Sequence, residues 1–236
     1  MRTHSSVKLG FAASVFAVSL AAATAPANAY SVADAQRMGH AGVAPHEVAS
    51  VMATVPRVAS YLNAAWTAAT QQAGVAYEPP RLVAYTQAFR HPVCGQVGVN
   101  NAGYCHGSNE VVYDPIYLAA LAKRVGSGNL GDGWYAIVVV IAHEWGHAIV
   151  DQTQRATRSR RAHEAAADCL AGAVTRYALD GGTIGHREVN TAYRVLSALG
   201  DGPGGGVHGA GPVRQLAFQY GFDNGAARCL AATASR

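Results

Sequence analysis

The fold of this chain is decided near its middle by the stretch His143-Glu144-Trp145-Gly146-His147. In a helix of 3.6 residues per turn, the two histidines lie about 40° apart on one face, one turn from each other. Two imidazoles placed in this way can bind one tetrahedral Zn²⁺ ion at about 2.0–2.1 Å without bending the helix. Glu144 lies about 100° around the helix from His143, where it can reach a water molecule but is poorly placed as a ligand. The pattern therefore predicts a helix that carries a zinc site.

The helix around this motif is predicted to run from residue 134 to about residue 151, with Asp132 as its N-cap. Its first half, residues 137–141, is apolar on every face, which is typical of a helix buried in the middle of a domain. Three titratable side chains in such a helix are costly to bury unless something pairs with them. A metal ion removes that cost, so the sequence favours a zinc site over two partly buried core histidines.

A catalytic zinc site needs a third protein ligand, and the helix predicted over residues 159–179 supplies candidates. Glu164 and Asp168 lie four residues apart and therefore on one face of that helix. We expect Glu164 to be the third ligand and Asp168 to accept a hydrogen bond from the outward N–H of a zinc-bound histidine. The surrounding alanines favour a packed face over a solvated acidic pair. His163 is the competing ligand, and because it points about 100° away from Glu164, only one of the two is expected to face the site.

The first 29 residues have the features of a secretory signal peptide. A basic start is followed by an apolar run over residues 9–23 and by Ala27-Asn28-Ala29, the small-x-small pattern of a cleavage site. The apolar run is shorter than the ~20 residues of a membrane span. We therefore expect export without a stable membrane anchor and a mature chain that begins at Tyr30.

The cysteines of the mature chain are expected to reach an oxidising compartment and to form disulfides: Cys94, Cys105, Cys169 and Cys229. The sequence contains no C-x-x-C pair, which disfavours a cysteine zinc cluster. Four cysteines allow three pairings, and the sequence alone does not choose between them. Proximity favours Cys94–Cys105 around a glycine-rich loop, which leaves Cys169–Cys229 to tie a late helix to the C-terminus.

The composition excludes several classes of protein. Of 236 residues, 50% are hydrophobic and 14% are charged, so the chain is too apolar to be disordered. The glycines follow no three-residue period, which excludes a collagen-like chain. Eighteen basic residues minus Arg2 and Lys8 of the signal peptide leave 16 against 14 acidic residues. The resulting net charge of +2 is too weak to steer binding to nucleic acid or anionic lipid.

The mature chain divides into an N-terminal helical segment, residues 30–80, and a larger domain, residues 81–236. Apolar spacing near three to four over residues 31–73 predicts one or two helices, with Pro45 and Pro56 as start or break points. The larger domain is predicted to contain short strands at residues 81–86 and Glu110–Tyr113, a helix at residues 116–123, and loops at residues 94–109, 126–133 and 200–211.

Several further stretches accompany the zinc motif in a specific order: Cys94-Gly95, Gly103-Tyr104-Cys105, Val112-Tyr113-Asp114, Ala142 before the motif, Glu164, Ala167-Asp168-Cys169, Ala171-Gly172, His208-Gly209, Arg214, Gly221-Phe222 and Cys229. With these stretches, the chain resembles the bacterial putative neutral zinc metallopeptidases over roughly residues 94–229. The resemblance implies a zincin-type fold in which His143, His147 and Glu164 bind zinc and Glu144 is the general base. It also supports the cysteine pairing that proximity favours.

The resemblance is weaker outside the zinc site. The His-Gln pair that usually follows the family's motif is replaced by residues 148–151, with Gln152 shifted along. The residues after His208-Gly209 also depart from the family's pattern, and residues 31–80 have no match that we can name. The resemblance therefore covers the zinc-binding and catalytic residues better than the residues that would surround the substrate.

Together these features predict a mainly helical α+β protein, a zincin-like domain with a small sheet, preceded by Ala-rich helices. We expect a secreted zinc-dependent endopeptidase with one Zn²⁺ ion per chain and a peptide or protein substrate. Glu144 is expected to be the base for a zinc-activated water, and His208 to stabilise the oxyanion. The strand Glu110–Tyr113 is expected to offer an edge to an extended substrate.

Two other functions stay open at this point. One is a zinc-binding pseudo-peptidase without a productive cleft. The other is a secreted binding module in which residues 31–73 form the working surface and the zinc site is structural. The sequence does not indicate an oligomeric state.

Overall fold

The computed structural model describes residues 30–153, 159–202 and 206–233, so the signal peptide predicted for residues 1–29 lies outside the described residues. Within them the protein is mainly helical with a small sheet, which confirms the predicted α+β class. The helices are α1 Val32–His40, α2 Pro45–Gln72, α3 Pro115–Val125, α4 Leu130–Gly133, α5 Tyr135–Gln152, α6 Arg160–Asp180, α7 His186–Ala198, α8 Gly211–Asn224 and α9 Ala226–Thr233. The strands are β1 Arg81–Ala84, β2 Phe89–His91, β3 Gly95–Val97, β4 Ala102–Cys105 and β5 Glu110–Tyr113, with a short 3₁₀ helix at His106–Ser108 after β4.

The N-terminal segment forms two helices that share the main hydrophobic core. Pro45 begins α2, as predicted. The N–H groups in the first turn of a helix have no hydrogen-bond partner within the helix, so a proline at this position costs no hydrogen bond. The helix continues through Pro56, so the break predicted at that position is wrong. Pro56 is exposed, so the hydrogen bond that it cannot donate is missing from the solvent side of the helix. Packing of Trp66 and neighbouring valines on the opposite face then holds the helix together.

The three-stranded sheet has the order β1-β5-β4, with β1 parallel and β4 antiparallel to β5. The prediction of a free edge at β5 is therefore wrong, since β5 is paired on both sides. Val111 and Tyr113 are buried, as expected of the central strand. The loop predicted at residues 94–109 is also wrong in part, because β3, β4 and the 3₁₀ helix lie within it. These strands have only three or four residues each, which is too short for hydrophobic periodicity to detect.

The helix of the zinc motif, α5, lies at the centre of the core. Leu130–Gln152 is long and apolar enough to cross a membrane, but most of this stretch is buried inside the protein. Asp132 is not the N-cap of α5, because it lies in α4, which is capped by Asn129. The loop predicted at residues 126–133 therefore contains a helical turn.

Glycines allow the helices around the site to approach closely. A Cβ atom on Gly146 of α5 would lie 2.8 Å from the Cα atom of Ala167 on α6. A Cβ atom on Gly172 of α6 would lie 2.0 Å from the carbonyl oxygen of Phe218 on α8. These separations are too short for any side chain, so the backbones of α5, α6 and α8 pack directly on one another.

Both predicted disulfides are present. Cys94–Cys105, with a Cα–Cα distance of 5.8 Å, ties the start of β3 to the end of β4. Cys169–Cys229, with a Cα–Cα distance of 5.6 Å, ties α6 to α9. The second bridge closes a 60-residue separation and holds the C-terminal helix against the core.

Candidate metal centre

The side chains of His143 and His147 on α5 meet that of Glu164 on α6. The two histidine Nε2 atoms lie 3.2 Å apart. Glu164 Oε2 lies 3.1 Å from Nε2 of His143 and 3.5 Å from Nε2 of His147. Four tetrahedral ligands at 2.0–2.1 Å from a zinc ion are about 3.3–3.4 Å from each other. The three atoms therefore form a triangle of the size that a Zn²⁺ ion requires.

The triangle lies at the border between the core and solvent. His143, Glu144 and His147 are each less than 10% exposed, whereas Glu164 is partly exposed. His208 borders the triangle, with its Nε2 atom 3.7 Å from Oε2 of Glu164 and half of its side chain exposed. Solvent and a ligand would therefore reach the triangle from the side on which His208 lies.

A buried ion pair fixes the orientation of His143. Asp168 Oδ1 lies 2.8 Å from Nδ1 of His143, as predicted from the spacing of Glu164 and Asp168. The Arg214 guanidinium donates two hydrogen bonds to Asp168, from Nε to Oδ2 at 2.9 Å and from Nη2 to Oδ1 at 2.8 Å. In the neutral form of His143, the one ring proton lies on Nδ1 and the Nε2 lone pair faces the triangle.

The charges around the triangle favour a cation. Burial disfavours the imidazolium form of His143, but the Asp168 carboxylate outweighs this effect and raises the pKa of His143 to about 10. Burial also opposes the ionised form of Glu164, yet hydrogen bonds from both histidines hold the pKa of Glu164 well below its usual range. Burial lowers the pKa of His147. The negative charges that stabilise a protonated imidazole here would also stabilise a divalent cation. The residues of the triangle therefore fit a zinc ion.

His163 and Glu164 both contact His147, but only Glu164 faces the triangle, in line with the expectation that one of the two would. Glu164 approaches Nε2 of His147, whereas Nδ1 of His163 lies 2.8 Å from Nδ1 of His147, with the two rings stacked at 9°. The two side chains diverge along α6, but the imidazole of His147 presents a nitrogen on each of two edges. His163 therefore belongs to the surroundings of the triangle and not to the triangle itself.

Two residues that the sequence did not suggest extend this contact outward. Asp151 Oδ1 lies 3.3 Å from Nε2 of His163, and its other oxygen contacts Nδ1 of His106. Burial opposes the ionised form of Asp151, yet hydrogen bonds from His163 and His106 hold its pKa below the usual range. His106 is 45 residues from Asp151, so no local pattern could have paired them.

A third group of potential ligands has a structural role. His91 lies beside Cys94 and Cys105, but both cysteines are consumed by their disulfide. Nδ1 of His91 accepts hydrogen bonds from the amides of Val93 and Cys94, each at 3.1 Å. Its Nε2 atom lies 2.7 Å from Oε2 of Glu110. Both ring nitrogens are thus engaged in holding the β2–β3 hairpin to β5.

Comparison with known proteins adds one finding. The family model described as "Putative neutral zinc metallopeptidase" matches residues 4–231. The match includes residues 31–80, for which no resemblance was apparent from the motifs. Neither the curated proteins nor the solved structures give a match.

Proposed function

Because the chain belongs to the family of putative neutral zinc metallopeptidases, we propose that it is a zinc-dependent peptidase with one Zn²⁺ ion held by His143, His147 and Glu164. The observation that carries this proposal is the triangle of Nε2, Nε2 and Oε2 atoms with sides of 3.1–3.5 Å. When bound there, zinc would supply an acidified water and a polarised peptide carbonyl.

Glu144 is the general base in this proposal. It follows His143 on α5, is 7% exposed, and lies close enough to both histidines for its negative charge to favour their protonated forms. Its carboxylate takes a proton from the water that attacks the peptide carbonyl and then returns the proton to the leaving amine.

Asp168 and Arg214 act through His143 as positioning residues. Asp168 fixes the Nδ1–H tautomer of His143, and the two hydrogen bonds from Arg214 keep the Asp168 carboxylate ionised and oriented. Because all three groups are buried, their orientation does not depend on solvent.

His208 donates a hydrogen bond to the carbonyl oxygen as negative charge develops on it. The backbone around His208 is held by Gly209, whose carbonyl accepts a hydrogen bond from the Asp201 amide at 2.8 Å and whose amide donates to Oδ2 of Asp201 at 2.7 Å. Gly209 has φ +89°, a conformation that favours glycine, which suits this closed loop.

An extended peptide would bind along β4. Among the described residues, β4 forms one edge of the three-stranded sheet and packs beside α5. Main-chain hydrogen bonds to such an edge hold a peptide without regard to its side chains. Two disulfides support an extracytoplasmic location. We propose that the protein is secreted and cleaves peptides or proteins outside the cytoplasm.

The test compares Glu144→Gln with the wild-type protein in two measurements, zinc content and peptide cleavage. We expect about one zinc per chain in both proteins, with chelator-sensitive cleavage only in the wild type. Glu78→Gln, at an exposed glutamate, is the matched control and should keep full activity. Zinc binding without cleavage in the wild type would instead favour the pseudo-peptidase or the binding module.

A further inference from the structure

We propose that His106, Asp151 and His163, here named the outer cluster, form a second site for a divalent transition-metal ion. The three side chains offer two imidazole nitrogens and a carboxylate oxygen that all lie within 4.8 Å of one another. They lie outside the triangle that we assign to the first zinc ion, separated from it by the ring of His147.

The chemistry of the outer cluster selects the class of ion. Imidazole and carboxylate ligands suit Zn²⁺ and related transition metals, whereas Mg²⁺ and Ca²⁺ prefer oxygen ligands throughout. The 3.3 Å between Asp151 Oδ1 and His163 Nε2 is already the separation that two ligands of one zinc ion have, about 3.3–3.4 Å. Nδ1 of His106 contacts the other oxygen of Asp151, so small rotations of the side chains would enclose an ion.

The outer cluster is both held in place and accessible. Asp151 lies in the last turn of α5 and His163 in the first turn of α6, which pack together through Gly146. His106 directly follows Cys105, which the disulfide to β3 fixes. The His106 side chain is 60% exposed, whereas those of Asp151 and His163 are 29% and 18% exposed. An ion could therefore enter from solvent and keep water at its remaining positions.

The contact between His147 and His163 sets the order in which the two sites fill. Two nitrogens 2.8 Å apart can share only one proton between them. With an ion on Nε2 of His147, Nδ1–H of His147 donates to His163, whose Nε2–H donates to Asp151. Nε2 of His163 then carries a proton. An ion can bind to this nitrogen only if the proton leaves, or if the contact between His163 and His147 breaks so that the proton can move to Nδ1 of His163. The outer cluster should therefore bind more weakly than the triangle and fill second, an order that rests on the proposed function of the triangle.

The test is equilibrium dialysis of the whole protein against rising concentrations of free Zn²⁺, followed by metal analysis. We expect the wild-type protein to bind one equivalent tightly and a second more weakly. His106→Ala should lose the second equivalent and keep the first, because His106 is exposed and makes no contact with the triangle. Asp151→Asn, which preserves the side-chain shape, should do the same. His186→Ala, at another exposed histidine, is the matched control and should bind both.

A third variant separates this proposal from that for the triangle. Glu164→Gln should weaken binding of the first Zn²⁺ equivalent and leave binding of the second equivalent, which His106→Ala removes, unchanged. Saturation of the wild type at one equivalent that His106→Ala keeps, or a second equivalent that persists in His106→Ala, would overturn the outer site. A wild type whose single equivalent is lost in His106→Ala and kept in Glu164→Gln would support the outer site and overturn the triangle.

Discussion

Replacement of Asp168 by asparagine tests how the buried ion pair supports the metal centre. Asp168 is fully buried and Arg214 is 6% exposed, and two hydrogen bonds at 2.8–2.9 Å join them. Removal of one partner from a buried pair leaves the other charge uncompensated, at a cost of about 3–5 kcal/mol. We therefore expect Asp168→Asn to lower the free energy of unfolding of the zinc-free protein by about this amount.

The same substitution should weaken zinc binding separately. Asparagine can still accept the hydrogen bond from Nδ1 of His143, but it no longer carries the charge that raises the basicity of this ligand. Loss of such a partner typically lowers metal affinity about 10–100-fold, which is about 1.4–2.7 kcal/mol. The double variant Asp168→Asn/Arg214→Met removes both charges, so most of the stability should return while the zinc affinity stays low.

Urea unfolding in chelator measures the first effect, and competition with a chelating dye measures the second. Two results would refute the reasoning. One is an unchanged unfolding midpoint in Asp168→Asn, which would mean that Arg214 is not left buried and unpaired. The other is a double variant that recovers zinc affinity together with stability, which would mean that Asp168 acts only by holding the fold.

Three further perturbations test the packing, the cross-link and the charges. Gly146→Ala should destabilise the protein by about 1–3 kcal/mol in urea unfolding, because its Cβ would lie 2.8 Å from Ala167; an unchanged midpoint would mean that α5 and α6 separate freely. Replacement of both Cys169 and Cys229 by alanine should cost about 4 kcal/mol, from the 60-residue separation that the bridge closes, and a loss below 1 kcal/mol would contradict this. Burial opposes the ionised form of Glu47, yet hydrogen bonds from a backbone amide and a lysine hold its pKa below the ordinary 4.5. The stability that Glu47 contributes is thus present above pH 4.5 and is lost as the pH falls through the lower pKa of the folded state. In Glu47→Gln, the free energy of unfolding should therefore decrease less steeply as the pH is lowered below 4.5. An equally steep decrease in both proteins would count against this contact.

Much of the candidate site follows from local periodicity. The spacing of His143 and His147 places them on one face of a helix, and the spacing of Glu164 and Asp168 does the same on the next helix. The structure brings these side chains together with the geometry that a zinc ion needs. This placement could be predicted because 3.6 residues per turn is a property of the backbone and needs no knowledge of the partner helix.

The sequence failed where a contact depends on which faces of distant elements meet. Arg214 is 46 residues from Asp168, and nothing near either residue indicates that they form an ion pair. The spacing on α6 also could not show that His163 contacts His147, because that contact uses the ring nitrogen of His147 that faces away from the triangle. The edge predicted at β5 was wrong because a short apolar strand does not disclose whether it has one neighbour or two.

By itself, the sequence determined the helical class, the zinc motif and, by proximity and resemblance, the cysteine pairing. Only the tertiary structure decided the partner of Asp168, the outer cluster and the order of the strands. The physical reason lies in the close approach at Gly146 and Gly172. Hydrophobic periodicity says which face of a helix is buried, but the rotation and depth at which two buried faces meet are set by packing against the whole core.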